Sequence, residues 1–132
     1  IDAGRLLDLL RRYDNLVLLP PSTNNYKVLK AADGIVSVNS KSGAEAVLLG
    51  KSVFVLGDAF YRGAPMVTAV EQLTDLPQLL SAQIGGATPA QNDDLVGCYF
   101  EKVWRHSYQG ELYVTDPSNI ERFSLSILNA TS

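Results

Sequence analysis

The chain has 132 residues, of which 46% are hydrophobic and 19% are charged, and its net charge at pH 7 is −3. These values are typical of one globular domain with a real core, and they exclude a disordered or fibrous protein. The acidic balance also argues against a nucleic-acid-binding protein, which needs a basic face to neutralise phosphates.

The cysteine and hydropathy patterns narrow the class further. The chain has one cysteine, Cys98, and one histidine, His106, so we expect neither an internal disulfide nor a zinc site. No apolar run approaches the roughly 20 residues that cross a bilayer, and the first residues lack a signal-peptide pattern, which predicts a cytoplasmic protein. Because the sequence begins without methionine, we expect it to be a piece of a longer protein.

The first elements alternate between helix and strand. Residues 2–13 place four apolar side chains on one helical face, and residues 15–19 read as a buried strand closed by two prolines. A polar loop then leads into a helix over residues 25–32, with Thr23 or Asn24 as its N-cap.

The stretch from residue 33 to residue 61 predicts a β-α-β unit. Ile35, Val36 and Val38 indicate a strand buried on both faces, followed by a turn and a short helix that Gly50 ends. Residues 53–56 form a second apolar run, which predicts the next parallel strand, and Gly57 with Asp58 closes it.

The remaining chain predicts more helix than strand. The patterns favour a strand at 66–70, a helix at 74–84 with Thr74 as its N-cap, a break at 85–89, a helix at 91–108, an extended piece at 110–115 and a helix at 117–128. We therefore expect one α/β domain over residues 1–132, with residues 90–132 as a helical extension. Its core is a Rossmann-like parallel sheet of about four strands flanked by helices.

The turn between the two strands of the β-α-β unit is the predicted binding site. Ligands of parallel sheets bind beyond the carboxyl ends of the strands, and a helix N-terminus there favours an anion such as phosphate. Ser40 and Ser42 can donate hydroxyl hydrogen bonds, Gly43 permits close approach, and Lys41 or Lys51 adds charge. The Gly-Lys pair lies at the far end of the helix, so a P-loop NTPase is excluded.

A purely structural explanation competes with ligand binding at two of these positions. Ser42 and Glu45 have the spacing of a capping box, in which each bonds a backbone N–H of the other, whereas Ser40 is less easily explained as a cap. Asp58 follows a strand end, where it could touch a substrate or simply form a turn with Gly57. No nucleophile and base are recognisable as a pair.

The same residues carry a family resemblance, which is dense over residues 20–80. The matching elements are Pro21-Ser22-Thr23-Asn24 with Tyr26, Ala31-Ala32-Asp33, Ser37-Val38-Asn39-Ser40, Gly43, Glu45-Ala46, Leu48-Leu49-Gly50-Lys51 and Gly57-Asp58-Ala59-Phe60-Tyr61. This pattern resembles the C-terminal region of bacterial capsule and surface polysaccharide biosynthesis proteins, a family that includes capsule Kdo transferases and is similar to glycosyltransferases of the GT-B architecture. Ser52 departs from the family, which usually has proline there.

The resemblance implies a nucleotide-sugar donor, with CMP-Kdo as the donor for members close to the Kdo transferases. By position it places Ser40, Ser42 and Gly43 at the donor phosphate, while Glu45 would either orient that turn or reach the ribose of the donor. Asn39 and Asp58 complete the set of residues that we expect to bind the donor. It requires no separate cofactor. A polysaccharide or glycolipid acceptor would be bound by an N-terminal domain that this sequence lacks, and the parent protein could associate peripherally with the inner face of the membrane.

Two other functions are compatible with the sequence. The chain could be a non-catalytic Rossmann-like module for partner docking or for polysaccharide export and assembly. A sugar-nucleotide epimerase of similar two-domain build would need catalytic carboxylates and a histidine elsewhere. The family's His-Pro element is absent from this sequence, so we expect this piece alone to be catalytically inactive, with weak donor affinity.

Overall fold

The computed structural model describes residues 2–84, 92–111 and 114–131. These residues form six α-helices and three β-strands, and a short 3-10 turn (Leu73–Asp75) precedes the fourth helix. The elements in chain order are α1 (Ala3–Arg12), α2 (Asn25–Ala31), β1 (Gly34–Ser37), α3 (Lys41–Leu48), β2 (Ser52–Val55), β3 (Val67–Ala69), α4 (Leu76–Ile84), α5 (Asp93–Arg105) and α6 (Pro117–Ala130).

The three strands form one parallel sheet in the order β1-β2-β3. Ile35 of β1 lies opposite Val53 of β2, and Phe54 of β2 lies opposite Thr68 of β3. All four residues of the central strand β2 are buried, which explains its nearly unbroken apolar pattern. The parallel sheet flanked by helices confirms the predicted α/β, Rossmann-like fold class.

The predicted strand at residues 15–19 is wrong, and the described sheet has three strands where about four were expected. Its four apolar side chains are between 42% and 74% exposed, and among the described residues no backbone hydrogen bond joins the segment to β1. A strand exists only where a neighbour satisfies its N–H and C=O groups. The described residues supply no such neighbour, so the apolar pattern alone does not produce a strand.

The core lies between the sheet and the helices that cover one of its faces. Ala46 and Val47 of α3 pack in one cluster with Val53 and Val55 of β2 and with Leu29 of α2. Burying one such aliphatic side chain stabilises a fold by about 1.5–3 kcal/mol. The layer formed by α2, α3 and β2 is therefore the main source of stability in this part of the chain.

Helix α5 joins the same core from the C-terminal part of the chain. Val96 is buried in the cluster, and Tyr99 and Phe100 pack against it. The hydroxyl of Tyr99 also donates a hydrogen bond to the carbonyl of Phe60 at 2.9 Å. Residues 92–105 are thus packed against the sheet layer through both apolar and polar contacts.

Most helix ends follow the sequence signals. The carboxylate of Asp2 accepts the N–H of Gly4 and caps α1, and the side chain of Asn24 accepts the N–H of Lys27 and caps α2. Gly50 follows the end of α3 with a φ of 71°, a left-handed conformation that glycine adopts without steric cost. The prediction of Thr74 as an N-cap is wrong, because Thr74 lies inside the 3-10 turn and α4 begins at Leu76.

The last elements confirm two predicted helices, with small shifts at their ends. Asn92 caps α5, and Asp116 caps α6, which continues to Ala130. The predicted break at residues 85–89 lies outside the described residues, as do positions 112 and 113 of the predicted extended piece. Among the helices of the described residues, none combines the length and the apolar character that a membrane span requires.

Candidate functional site

The turn between β1 and α3 lies at the carboxyl edge of the sheet. Helix α3 begins at Lys41, and Ser40 is its N-cap, with the Ser40 Oγ accepting the N–H of Ser42 at 3.2 Å. The predicted capping box is wrong, because Ser42 is already the second residue of the helix and Glu45 is the fifth. The N-cap is therefore Ser40, for which the sequence suggests no structural role.

Both serine hydroxyls nevertheless keep a proton for another partner. A hydroxyl has one donor proton and two acceptor lone pairs. Ser40 Oγ accepts from the N–H of Ser42, and Ser42 Oγ accepts from Asn25 Nδ2 at 3.0 Å, so each uses a lone pair and not its proton. Among the described residues neither proton has an acceptor. Two hydroxyl donors are therefore available at the N-terminus of α3.

A closed ring of hydrogen bonds fixes the backbone of Ser40. The Tyr61 hydroxyl donates to the carbonyl of Ser40 at 2.6 Å, which uses its only proton. Ser37 Oγ lies 3.0 Å from the same hydroxyl and is therefore the donor in that contact. The N–H of Ser40 donates back to Ser37 Oγ at 3.3 Å. Connected bonds of this kind strengthen one another in a buried environment.

Tyr61 also explains why residue 43 is glycine. Tyr61 is 1% exposed, and its phenol group packs directly against Gly43 in the first turn of α3. A Cβ at residue 43 would overlap the ring and hydroxyl of Tyr61. The missing side chain therefore serves internal packing, whereas the sequence suggested close approach of a ligand.

Asn25 connects α2 to the site and was not recognised from the sequence. Its side-chain amide donates to Ser42 Oγ at 3.0 Å and to Glu45 Oε2 at 3.2 Å. Asn25 is the first residue of α2, directly after the N-cap. The amide thus holds the Glu45 carboxylate beside Ser42. Ser42 and Glu45, the two residues of the expected capping box, both form hydrogen bonds with Asn25.

The second loop of the site follows β2. Gly57 lies against Asn39, and a Cβ at Gly57 would overlap the Asn39 amide oxygen and come within 2.9 Å of the carbonyl of Val38. Asp58 follows Gly57 and is exposed. The structure therefore brings the loops that carry Asn39 and Asp58 together at the carboxyl edge of β1 and β2, as parallel pairing requires.

Arg62 stabilises this second loop through hydrogen bonds to its backbone and an ion pair. Its Nη1 donates to the carbonyls of Val55 and Gly57, each at 3.2 Å, and its Nη2 pairs with Glu71 Oε1 at 2.7 Å. Only 24% of the Arg62 side chain is exposed. The guanidinium group therefore joins the end of β2 to the segment that follows β3.

Of the two lysines predicted near the site, only Lys41 lies at the correct edge of the sheet. Lys51 precedes β2 and therefore lies at the amino edge, where its Nζ donates to the carbonyl of Lys30 at 2.8 Å. Lys41 opens α3, and its Nζ lies 3.9 Å from Glu111 Oε1, with both side chains exposed. In the described part of the chain no cluster of histidine, cysteine, aspartate or glutamate could hold a metal ion.

The comparisons with known proteins identify a family. Residues 7–77 match the family model described as capsule polysaccharide biosynthesis protein, and this span is more than half of the 132 residues and contains every residue of the site. No curated protein and no solved structure matches the chain. This chain belongs to the capsule polysaccharide biosynthesis protein family.

Proposed function

We propose that the chain binds the phosphate of a nucleotide-sugar donor at the N-terminus of α3, as the donor-binding part of a capsule glycosyltransferase. Family membership supports a role in capsule polysaccharide biosynthesis. The chemistry of the turn supports the finer assignment, since a helix N-terminus at the carboxyl edge of a parallel sheet favours an anion.

The observation that carries this proposal is the pair of unused hydroxyl protons on Ser40 and Ser42. Both serines are held in place, Ser40 through the ring with Tyr61 and Ser37 and Ser42 through Asn25. An anion that arrives at this turn meets donors that are already ordered. Binding to an ordered site costs less side-chain entropy than binding to a mobile one.

The residues of the site have distinct roles in this proposal. The Ser40 and Ser42 hydroxyls donate hydrogen bonds to phosphate oxygens of the nucleotide sugar. The phosphate competes with Glu111 for Lys41, whose positive charge then adds to the binding. Asn39 and Gly43 shape the turn. Glu45 bonds the ribose hydroxyls in exchange for its contact with Asn25, and Asp58 approaches the donor from the second loop.

CMP-Kdo is the donor that we propose to test first, with UDP-sugars and GDP-sugars as the alternatives. The donor is a substrate, so the proposal needs no separate cofactor. A polysaccharide or glycolipid acceptor would receive the sugar in the cytoplasm, at the inner face of the membrane.

Calorimetric titration of CMP, CMP-sugars, UDP-sugars and GDP-sugars into the natural protein tests the proposal. We expect Ser40→Ala to weaken donor binding about tenfold, because a hydrogen bond to a charged group is lost. The matched control is Asn92→Ala, which removes the N-cap of α5 and costs a similar amount of stability, about 1 kcal/mol.

The control separates folding from binding. If Asn92→Ala weakens donor binding as much as Ser40→Ala does, the effect comes from lost stability and the assignment of Ser40 fails. If no nucleotide sugar binds and Ser40→Ala leaves the activity of the natural protein unchanged, the proposed function is wrong.

A second candidate function is a non-catalytic module that docks a partner in capsule export or assembly. The observation that favours it is the exposed apolar segment at residues 16–19, together with α1, which has no buried residue. This candidate predicts that Val17→Lys abolishes co-purification with capsule proteins and leaves donor binding intact. Unchanged co-purification would exclude it.

A further inference from the structure

A second concave surface lies where the connection from α5 meets α6. It is a groove of about 340 Å³, and its walls include Tyr108, Gln109, Arg122, Leu125 and Asn129. The groove lies beyond residues 7–77, which match the family model. The predicted donor site does not use any of these residues.

The groove is formed by a loop that is fixed to α6. Ser126 Oγ donates to the carbonyl of Gln109, and Gly110, with a φ of 124°, packs against Phe123 so closely that a Cβ would lie 2.9 Å from the Phe123 Cα. Asn119 is buried and makes hydrogen bonds to the backbone of Glu111 and Val114. The backbone of residues 109–111 is therefore held against α6.

The side chains that line this groove combine an apolar ring with polar amides, a combination that suits a sugar. Tyr108 is 58% exposed and offers an apolar ring face with a polar tip. The side-chain amides of Gln109 and Asn129 make no hydrogen bond to other described residues, so each has donors and an acceptor available for hydroxyl groups. A pyranose ring presents both an apolar C–H face and a rim of hydroxyls.

Arg122 adds a charge preference. Within the described residues no carboxylate lies within ion-pair distance of its guanidinium, although Asp116 is near enough to interact through space. A guanidinium group binds a carboxylate through two parallel hydrogen bonds. The groove is thus suited to a sugar that carries a carboxylate.

We propose that this groove binds a segment of an acidic oligosaccharide. Tyr108 packs against a sugar ring, Gln109 and Asn129 bond its hydroxyls, and Arg122 pairs with its carboxylate. The ligand class rests on the family's role in capsule polysaccharide synthesis and not on the nucleotide-sugar site. Glu111, two residues after Gln109, contacts Lys41 at the start of α3, so one loop connects the groove to the turn at Ser40.

The chain has one tryptophan, Trp104, which provides the readout. It lies four residues before Tyr108 and is 80% exposed. We would follow its fluorescence while titrating hexagalacturonate and a sialic acid hexamer, with maltohexaose as the neutral sugar of equal length. We expect saturable binding of at least one acidic sugar and at least about tenfold weaker binding of maltohexaose, since the charged bond is absent.

Variants localise the binding to the groove. Tyr108→Ala and Arg122→Gln should each weaken it about tenfold, whereas the exposed controls Tyr26→Ala on α2 and Arg5→Gln on α1 should leave it unchanged. Ser40→Ala should also leave it unchanged, which separates this proposal from the nucleotide-sugar site. Circular dichroism confirms that each variant folds.

Three results would overturn the proposal. One is the absence of saturable binding for both acidic sugars. Another is equal binding of maltohexaose, and the third is an equal loss of binding in the groove variants and in their controls.

Discussion

The turn at the start of α3 and the segment at residues 16–19 both belong to predicted β-α units, but their structures differ. In both places the sequence predicts a strand of a parallel sheet that is followed by a helix. At the turn, Ser37, Ser40 and Tyr61 bond one another in a closed ring. At residues 16–19 every side chain is exposed, and Val17 is 74% exposed.

The difference shows what an apolar pattern does and does not determine. The pattern determines which side chains would stabilise the fold if they were buried. Whether they are buried depends on neighbouring elements that can cover them. Ser37 of β1 and Tyr61 of the loop after β2 are joined by hydrogen bonds to each other and to the turn. These bonds fix the conformation of the turn.

Gly43→Ala should have the largest effect. The new Cβ would overlap the buried Tyr61, so we expect a loss of about 3 kcal/mol in the free energy of unfolding. Gly63→Ala is the matched control, because no atom lies within 4 Å of the position of its Cβ, and it should change stability by less than about 0.5 kcal/mol. Urea denaturation measures both, and equal effects would show that Tyr61 does not pack against α3.

Val53→Ala and Val17→Ala compare the two regions with one chemical change. Val53 is 1% exposed, so its truncation should cost about 2 kcal/mol, whereas Val17→Ala should cost less than about 0.5 kcal/mol. The same denaturation experiment provides the measurement. A Val17→Ala cost as large as that of Val53→Ala would mean that residues 16–19 are buried.

Tyr61→Phe should have an intermediate effect. The change removes the hydroxyl that bonds Ser37 and Ser40 and leaves the ring packed, so we expect a loss of about 1–2 kcal/mol from unsatisfied polar groups. Tyr26→Phe is the control, since the Tyr26 hydroxyl makes no hydrogen bond to another described residue and the side chain is exposed. Indistinguishable unfolding curves for the two variants would contradict the ring.

The smallest expected effect is a pH dependence at the N-terminus of α6. Hydrogen bonds from the Ser118 hydroxyl and the Asn119 N–H lower the pKa of Asp116 below its usual value of 3.8. The carboxylate therefore stabilises the fold at higher pH, and this contribution is lost as the pH falls below 3.8 through the lowered value. The stability difference between the natural chain and Asp116→Asn should shrink between pH 5 and pH 3. A difference that stays constant over this range would refute the assignment.

Much of the fold could be predicted from the sequence because its signals are local. The strand that became β2 is an apolar run ended by Gly57, and the caps of α1 and α2 are polar residues at the expected positions. The capping-box alternative, with Ser42 as the cap of α3, is wrong by two residues. Both Ser40 and Ser42 are residue types that cap helices, and the ring with Tyr61 fixes the backbone of Ser40, which is the cap.

The contacts that form the site could not be predicted, because they join residues far apart in the sequence. Asn25 reaches Ser42 and Glu45 across 17 and 20 positions, and Tyr61 reaches Ser40 across 21. No local pattern distinguishes Asn25 from any other residue in a first helical turn. The six predicted site residues keep their ligand roles as a proposal, with structural contacts now assigned to several of them.

The most direct test of the central claim is a nuclear magnetic resonance titration of the chain with CMP-Kdo and the other nucleotide sugars. We expect the backbone amide signals of Lys41, Ser42 and Gly43 to shift in a saturable manner. The amides of Asp94 and Leu95, in the first turn of α5, serve as an internal control and should not move. Shifts confined to other residues, or equal shifts at both helix starts, would contradict donor binding at the turn.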